Sequence, residues 1–112
     1  MNGGTIKDCK AGDDGAAVDV GMGCTFTMND GTISNCRAED DGGAVFVKQG
    51  GFFVMNSGTI ENCSACNNGG AVNIYENGSF TMTGGTIKDC KVDLGGLGNA
   101  VYGKNNTAIV VI

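Results

Sequence analysis

The chain has 112 residues, room for one ordinary domain, and 21 of them are Gly while none is Pro. Its net charge of −5, with no basic stripe, argues against nucleic-acid binding. No apolar run approaches the ~18 residues of a spanning helix, and the absence of His excludes imidazole bases and His-bearing zinc sites.

The first predicted element covers Thr5–Ala11, with Met1 and Gly4 ahead of it and a corner at Asp13-Asp14-Gly15 behind it. Ala16–Val20 and Thr25–Met28 follow as two more strands, each alternating apolar and variable residues as a half-buried strand does. At Gly31 the same pattern starts again: Gly-Thr-Ile, Cys36, the corner Glu39-Asp40-Asp41, Val45/Val47, then Phe53/Met55. Gly58 opens a third copy, with Cys63, the corner Asn67-Asn68-Gly69-Gly70, Val72/Ile74 and Phe80/Met82. Gly85 opens a fourth, in which Cys90 to Ala100 is ten residues rather than eight, a two-residue insertion. The spacing between copies is 27 residues.

Ile and Cys in each copy lie three residues apart, so both point inward only if the strand slips phase between them. Asp8, Asn35, Asn62 and Asp89 occupy that place, and Asx residues tolerate the left-handed backbone a sharp corner needs. The expected fold is therefore all-β: a parallel β-helix of about four coils, three short strands per coil, forming a single domain over 1–112. Right-handed crossovers are the default. In-register stacking at ~4.8 Å makes a prism ~19 Å tall. Its interior is expected to hold four ladders: Ile6/Ile33/Ile60/Ile87, Cys9/Cys36/Cys63/Cys90, Phe26/Phe53/Phe80 and Met28/Met55/Met82. Val18, Val45, Val72 and Val101 make a further rung file.

Stacked thiols in such a file are small hydrophobes or, less readily, disulfides, because side chains in register point parallel. Cys63 and Cys66 have C-x-x-C spacing, but no second pair completes a zinc site. The carboxylates Asp13, Asp14, Asp40 and Asp41 fall at equivalent corners and are the candidate ligands for calcium, against the plainer reading of solvated turns. No other cofactor is expected. Arg37 sits at a drifting, outward position, and Phe46, Phe52 and Tyr102 are expected to be exposed. The outward file Thr5/Thr32/Thr59/Thr86 lacks the unbroken second Thr file an ice-binding face would need.

Gly42-Gly43-Ala44-Val45 and Gly69-Gly70-Ala71-Val72 resemble the Gly-Gly-Ala-(Ile/Leu/Val) motif of chlamydial polymorphic outer membrane proteins. Phe26-Thr27-Met28-Asn29 and Phe53-Val54-Met55-Asn56 resemble their Phe-x-x-Asn motif, whereas Ala16 and Asn99 in the outer coils, and Thr83 after Phe80-Thr81-Met82, depart from the pattern. The whole unit is similar to right-handed β-helix repeats of bacterial surface proteins in the pectate-lyase-like superfamily. The resemblance implies a passenger or stalk region of an adhesin or autotransporter, located extracellularly or on the cell surface; the short corners leave no long loops to wall a cleft, so a structural or adhesive module without catalysis is expected. Its implied partners are neighbouring coils of a longer chain and a host-surface protein or glycan, with no nucleic acid and no membrane insertion of this segment. Met1 to Lys10 lacks the apolar stretch of a signal peptide, so either the chain is not secreted as it stands or it is a segment of a longer secreted solenoid, and the fragment is the preferred expectation. Two alternatives stand beside this reading: a carbohydrate-binding or carbohydrate-cleaving β-helix fragment, and an end-to-end self-assembling fibre subunit. No residue is assigned to catalysis.

Overall fold

A computed structural model describes residues 1–92, 98–104 and 107–111. The described chain is all-β and parallel throughout, wound so that each coil lies on the one before it. Coil one contributes β1 (Asn2–Lys7), β2 (Lys10–Ala11), β3 (Val18–Val20) and β4 (Thr25–Met28). Coil two contributes β5 (Asp30–Ser34), β6 (Arg37–Ala38), β7 (Val45–Val47) and β8 (Phe52–Met55). Coil three has β9 (Thr59–Glu61), β10 (Ser64–Ala65), β11 (Val72–Ile74) and β12 (Ser79–Met82). Coil four has β13 (Thr86–Lys88), β14 (Lys91–Val92), β15 (Val101–Gly103) and β16 (Ala108–Val111).

The coil thus has four strands, not the three expected. Asp8, Asn35, Asn62 and Asp89 adopt φ of 59°, 56°, 55° and 55°, and this left-handed step does more than slip the phase. It turns the chain, so the predicted Thr5–Ala11 strand divides into β1 and β2. Four sheets of four strands result, ordered β1-β5-β9-β13, β2-β6-β10-β14, β3-β7-β11-β15 and β4-β8-β12-β16. Each corner residue also ties its coil to the next: the N–H of Asp8, Asn35 and Asn62 donates to the carbonyl of Ser34, Glu61 and Lys88.

Register follows the 27-residue period. Ile6 faces Ile33, Ile33 faces Ile60, and Ile60 faces Ile87; Val18, Val45, Val72 and Val101 pair likewise. Ile, Phe and Met residues of successive coils face one another in register. Phe26, Phe53 and Phe80 lie ring over ring, with centroids 5.2 and 4.9 Å apart and planes 23° from parallel, an offset arrangement aromatic rings favour. In the two inner coils Ile33, Ile60, Phe53, Met55 and Val45 are wholly buried, whereas Ile6, Phe26, Ile87 and Cys90 at the ends are only partly covered. The two-residue insertion of coil four falls around 93–97, outside the described residues. Register on either side of it is kept, with Ala65 facing Val92 and Val72 facing Val101.

One expectation about the surface fails. Phe46, on the outward side of β7, is 6 % exposed. Tyr75 lies beside it with ring centroids 6.3 Å apart, and the corner at Gly15 closes over its Cβ. Tyr102 is half-covered, and of the three predicted aromatics only Phe52 is exposed.

Candidate functional site

The acidic corner is built by stacking one turn on the next. Asp40 N–H donates to the Asp13 carbonyl (3.1 Å), and Asp41 N–H to Asp14 Oδ1 (3.1 Å). One coil higher, Asn68 N–H donates to Asp41 Oδ1 (3.0 Å) and the Asn67 amide to Asp40 Oδ1. The Asp14 and Asp41 carboxylates thus accept from the backbone of the coil above, the role Asx side chains play in turns generally, while Asp40 accepts from a side-chain amide. Stacking also brings carboxylate oxygens of Asp13, Asp14 and Asp40 within 4.8 Å of one another. Asp41, the fourth residue predicted as a calcium ligand, is not in that group; its carboxylate is turned to the next corner. The arrangement offers three anionic oxygens toward the about six to eight a calcium ion takes. A calcium titration of the melting temperature reads capture directly: a rise means binding, and no change leaves a like-charged turn.

Burial first, and then the neighbouring carboxylates, push the Asp14 and Asp41 carboxyls above their ordinary value of 3.8. A raised folded value means that the charged form costs stability. The cost is present in full well above the folded pKa and disappears as pH falls below 3.8. Asp14→Asn with Asp41→Asn keeps both acceptor oxygens and removes the charges, as Asn67 and Asn68 already do one coil up. Both groups are largely solvent-screened, so the gain at pH 7 is expected to stay below about 1 kcal/mol. Thermal melts should show the variant above the parent at pH 7, with the gap closing toward pH 4.

The cysteine file runs up the turn beside β2, β6, β10 and β14, and all six cysteines are free thiols. Cys9, Cys36, Cys63 and Cys90 each donate to the carbonyl two residues back, at 3.3–3.5 Å. Burial raises Cys36; contact with the Cys90 sulfur, together with burial, raises Cys63. Neither is a ready thiolate. Alkylation of the folded protein should therefore label exposed Cys24 first, with Cys36 and Cys63 labelled at the rate of unfolding; peptide mass spectrometry checks this.

Arg37 is half-covered rather than exposed. Its Nη1 donates to Ser64 Oγ (3.2 Å) and its Nη2 to Cys66 Sγ (3.0 Å), while Nε lies 3.7 Å from Glu39. Register alone puts Ser64, 27 residues on, beside Arg37, but Cys66, 29 residues on, is a diagonal contact that the period does not show. Cys63 is buried and donates to the Glu61 carbonyl, whereas Cys66 meets the Arg37 guanidinium and the Glu39 carboxylate.

Between the acidic corner and β7 lies an open depression of about 350 Å³, lined by Asp14, Met22, Phe46, Lys48, Gln49 and Tyr75. Met22 is 71 % exposed and Tyr75 37 %, so its rim is apolar and wet. Lys104 braces Tyr75 from above, donating to its hydroxyl at 3.1 Å with Nζ 4.4 Å from the ring centroid. Sequence periodicity could not find this depression, since Tyr75 and Met22 lie beyond the strands whose alternation is readable. No family model matches the chain, and neither curated proteins nor solved structures give a match to it.

Proposed function

We propose that this chain is a structural and adhesive β-solenoid module of a bacterial surface protein, without catalysis. The observation that carries the reading is the pairing of a rigid, ladder-filled prism with an apolar-rimmed depression on one flank. Four described sheets frame the flank; of the lining only Phe46 lies on a strand, and the other five residues stand on the short turns beside it. Tyr75 and Met22 supply exposed apolar area beside the buried Phe46 ring; Asp14, Lys48 and Gln49 supply polar groups at its margin. Flat aromatics flanked by a few hydrogen-bonding groups suit contact with a host protein or a glycan ring. The surface location rests on the sequence resemblance.

The test is binding of the purified chain to immobilised host-cell glycans and matrix proteins, alongside assay of acidic polysaccharide with and without calcium. Binding that falls at least tenfold in Tyr75→Ser, with melting unchanged, supports the adhesive module. Polysaccharide cleavage by the wild-type chain overturns it in favour of a carbohydrate-active solenoid.

A further inference from the structure

We propose that the stacked cysteines form a binding site for a soft, linearly two-coordinate cation of the mercuric kind, held between the sulfurs of neighbouring coils, with Cys36 and Cys63 as the inner pair. Neither the adhesive reading nor the acidic corner bears on it. The file repeats sulfur geometry as well as sequence. In all four coils the thiol donates to the carbonyl two residues back, at 3.5, 3.3, 3.4 and 3.3 Å for Cys9, Cys36, Cys63 and Cys90. The same bond in each coil sets the same side-chain direction. The backbone beside each thiol is in register, with Lys10 facing Arg37, Arg37 facing Ser64 and Ser64 facing Lys91. The N–H groups of Arg37, Ser64 and Lys91 donate to the carbonyls of Cys9, Cys36 and Cys63 at 2.9, 2.9 and 3.0 Å. Equal directions on registered strands place each sulfur one rung, ~4.8 Å, from the next. Cys36 accordingly lies against the sulfurs of Cys9 and Cys63, and Cys63 against that of Cys90.

That spacing selects the coordination. Two metal–thiolate bonds of ~2.3 Å laid in line span ~4.6 Å, close to one rung. The next sulfur of the file is two rungs off, ~9.6 Å, so tetrahedral Zn²⁺ lacks its remaining ligands there. Among the described residues, the three ligand-bearing groups that do gather closely are Asp13, Asp14 and Asp40, which bring no sulfur. Thiolate sulfur prefers soft cations, and burial decides their charge. Cys36 and Cys63 are 1 % exposed, where an unpaired charge is costly. A monovalent cation between two thiolates leaves a net negative charge; a divalent one leaves none. On binding, two S–H bonds break, two S–metal bonds form and two protons leave to solvent. The buried pair is reached as the coils part locally, so loading is slow. Cys24 is exposed, and Cys66 meets Arg37 and Glu39; both stand outside the file, and each offers a single sulfur.

The test keeps the number of thiols fixed and changes only their adjacency. On a Cys24→Ser/Cys66→Ser background, one variant adds Cys9→Ser/Cys90→Ser and keeps the neighbours Cys36 and Cys63. The other adds Cys36→Ser/Cys90→Ser and keeps Cys9 and Cys63, two rungs apart. Both variants and the wild-type chain are incubated with mercuric chloride, challenged with excess glutathione to strip singly held metal, and weighed by native mass spectrometry. The first variant is expected to retain one ion per chain with loss of two hydrogens, at least tenfold more than the second, because two fixed thiols compete as a pair. The wild type is expected to retain two ions, one for each pair of file sulfurs. Zinc chloride should be retained no better by the first variant than by the second. Equal mercury retention by the two folded variants overturns the proposal, as does loading that abolishes the β signal in circular dichroism. So does a wild-type chain that keeps no ion after the glutathione challenge, a result that stands even if the variants fail to fold.

Discussion

Replacing Val45 with Asp is expected to unfold the protein at neutral pH, whereas the same change at Val101 should leave it folded. Both residues occupy the same rung file, 27 and then 29 residues apart through Val72. They differ in cover. Val45 has no exposed surface and lies between the coils of Val18 and Val72, while Val101 is partly open. A carboxylate at Val45 has neither water nor partner, and such changes cost more than about 4–5 kcal/mol. That rivals the total stability of a domain this size, about 5–15 kcal/mol. At Val101 the carboxylate reaches solvent, and about 1–2 kcal/mol is expected. A buried carboxyl has a raised pKa, so the Val45 variant should recover some structure as pH falls through that value. Circular dichroism melts across pH decide it. Equal loss at both sites would mean that the rungs do not act as a stack, because stability of a solenoid is a sum over coils and their interfaces.

How far the sequence alone carries such arguments depends on whether a contact obeys the 27-residue period. The Ile, Phe, Met and Val files do obey it, so the interior was readable position by position, as was the left-handed step at Asp8 and its equivalents. The number of sides was not. Lys10–Ala11 and its equivalents are two residues long, too short for alternation to mark a strand, and how far the step at Asp8 turns the chain away from β1 shows only in space. Phe46 shows a different shortfall. Alternation placed it outward, correctly, but outward did not mean exposed, since Tyr75 from the next coil and the preceding corner cover it. At the acidic corner, Asp13, Asp14 and Asp40 were legible as neighbours from register, whereas the turning away of Asp41 depends on the Asn68 N–H above it. Arg37 with Cys66 lay out of reach because the guanidinium spans one coil diagonally.

The Gly-Gly-Ala turn follows the same division between period and close packing, and it yields the second large effect. Gly42 and Gly69 take φ of 69° and 64°, which accounts for the first glycine of the motif. The second glycine needs another reason, since Gly43 and Gly70 do not lie in the left-handed region. It is proximity. A Cβ on Gly43 would press into the carbonyls of Gly70 and Ser64, and one on Gly70 into the Asn99 carbonyl and the Lys91 backbone at 2.6 Å. Those atoms belong to the coil above and cannot swing aside as a side chain would. Ala16 holds the equivalent position in coil one, and there the N–H to carbonyl distance to the coil above is 3.4 Å, against 3.1 Å for Gly43 and Gly70. An end coil can ease away in this manner; an inner coil is fixed from both sides. Gly43→Ala and Gly70→Ala are each expected to cost about 1–3 kcal/mol by overpacking. Gly12→Ala, with open space around its Cβ and an ordinary φ, should be neutral or slightly stabilising. Urea denaturation of the three variants measures the contrast. Loss at Gly12 equal to that at Gly43 would mean that backbone freedom, rather than coil spacing, sets the need for the second glycine.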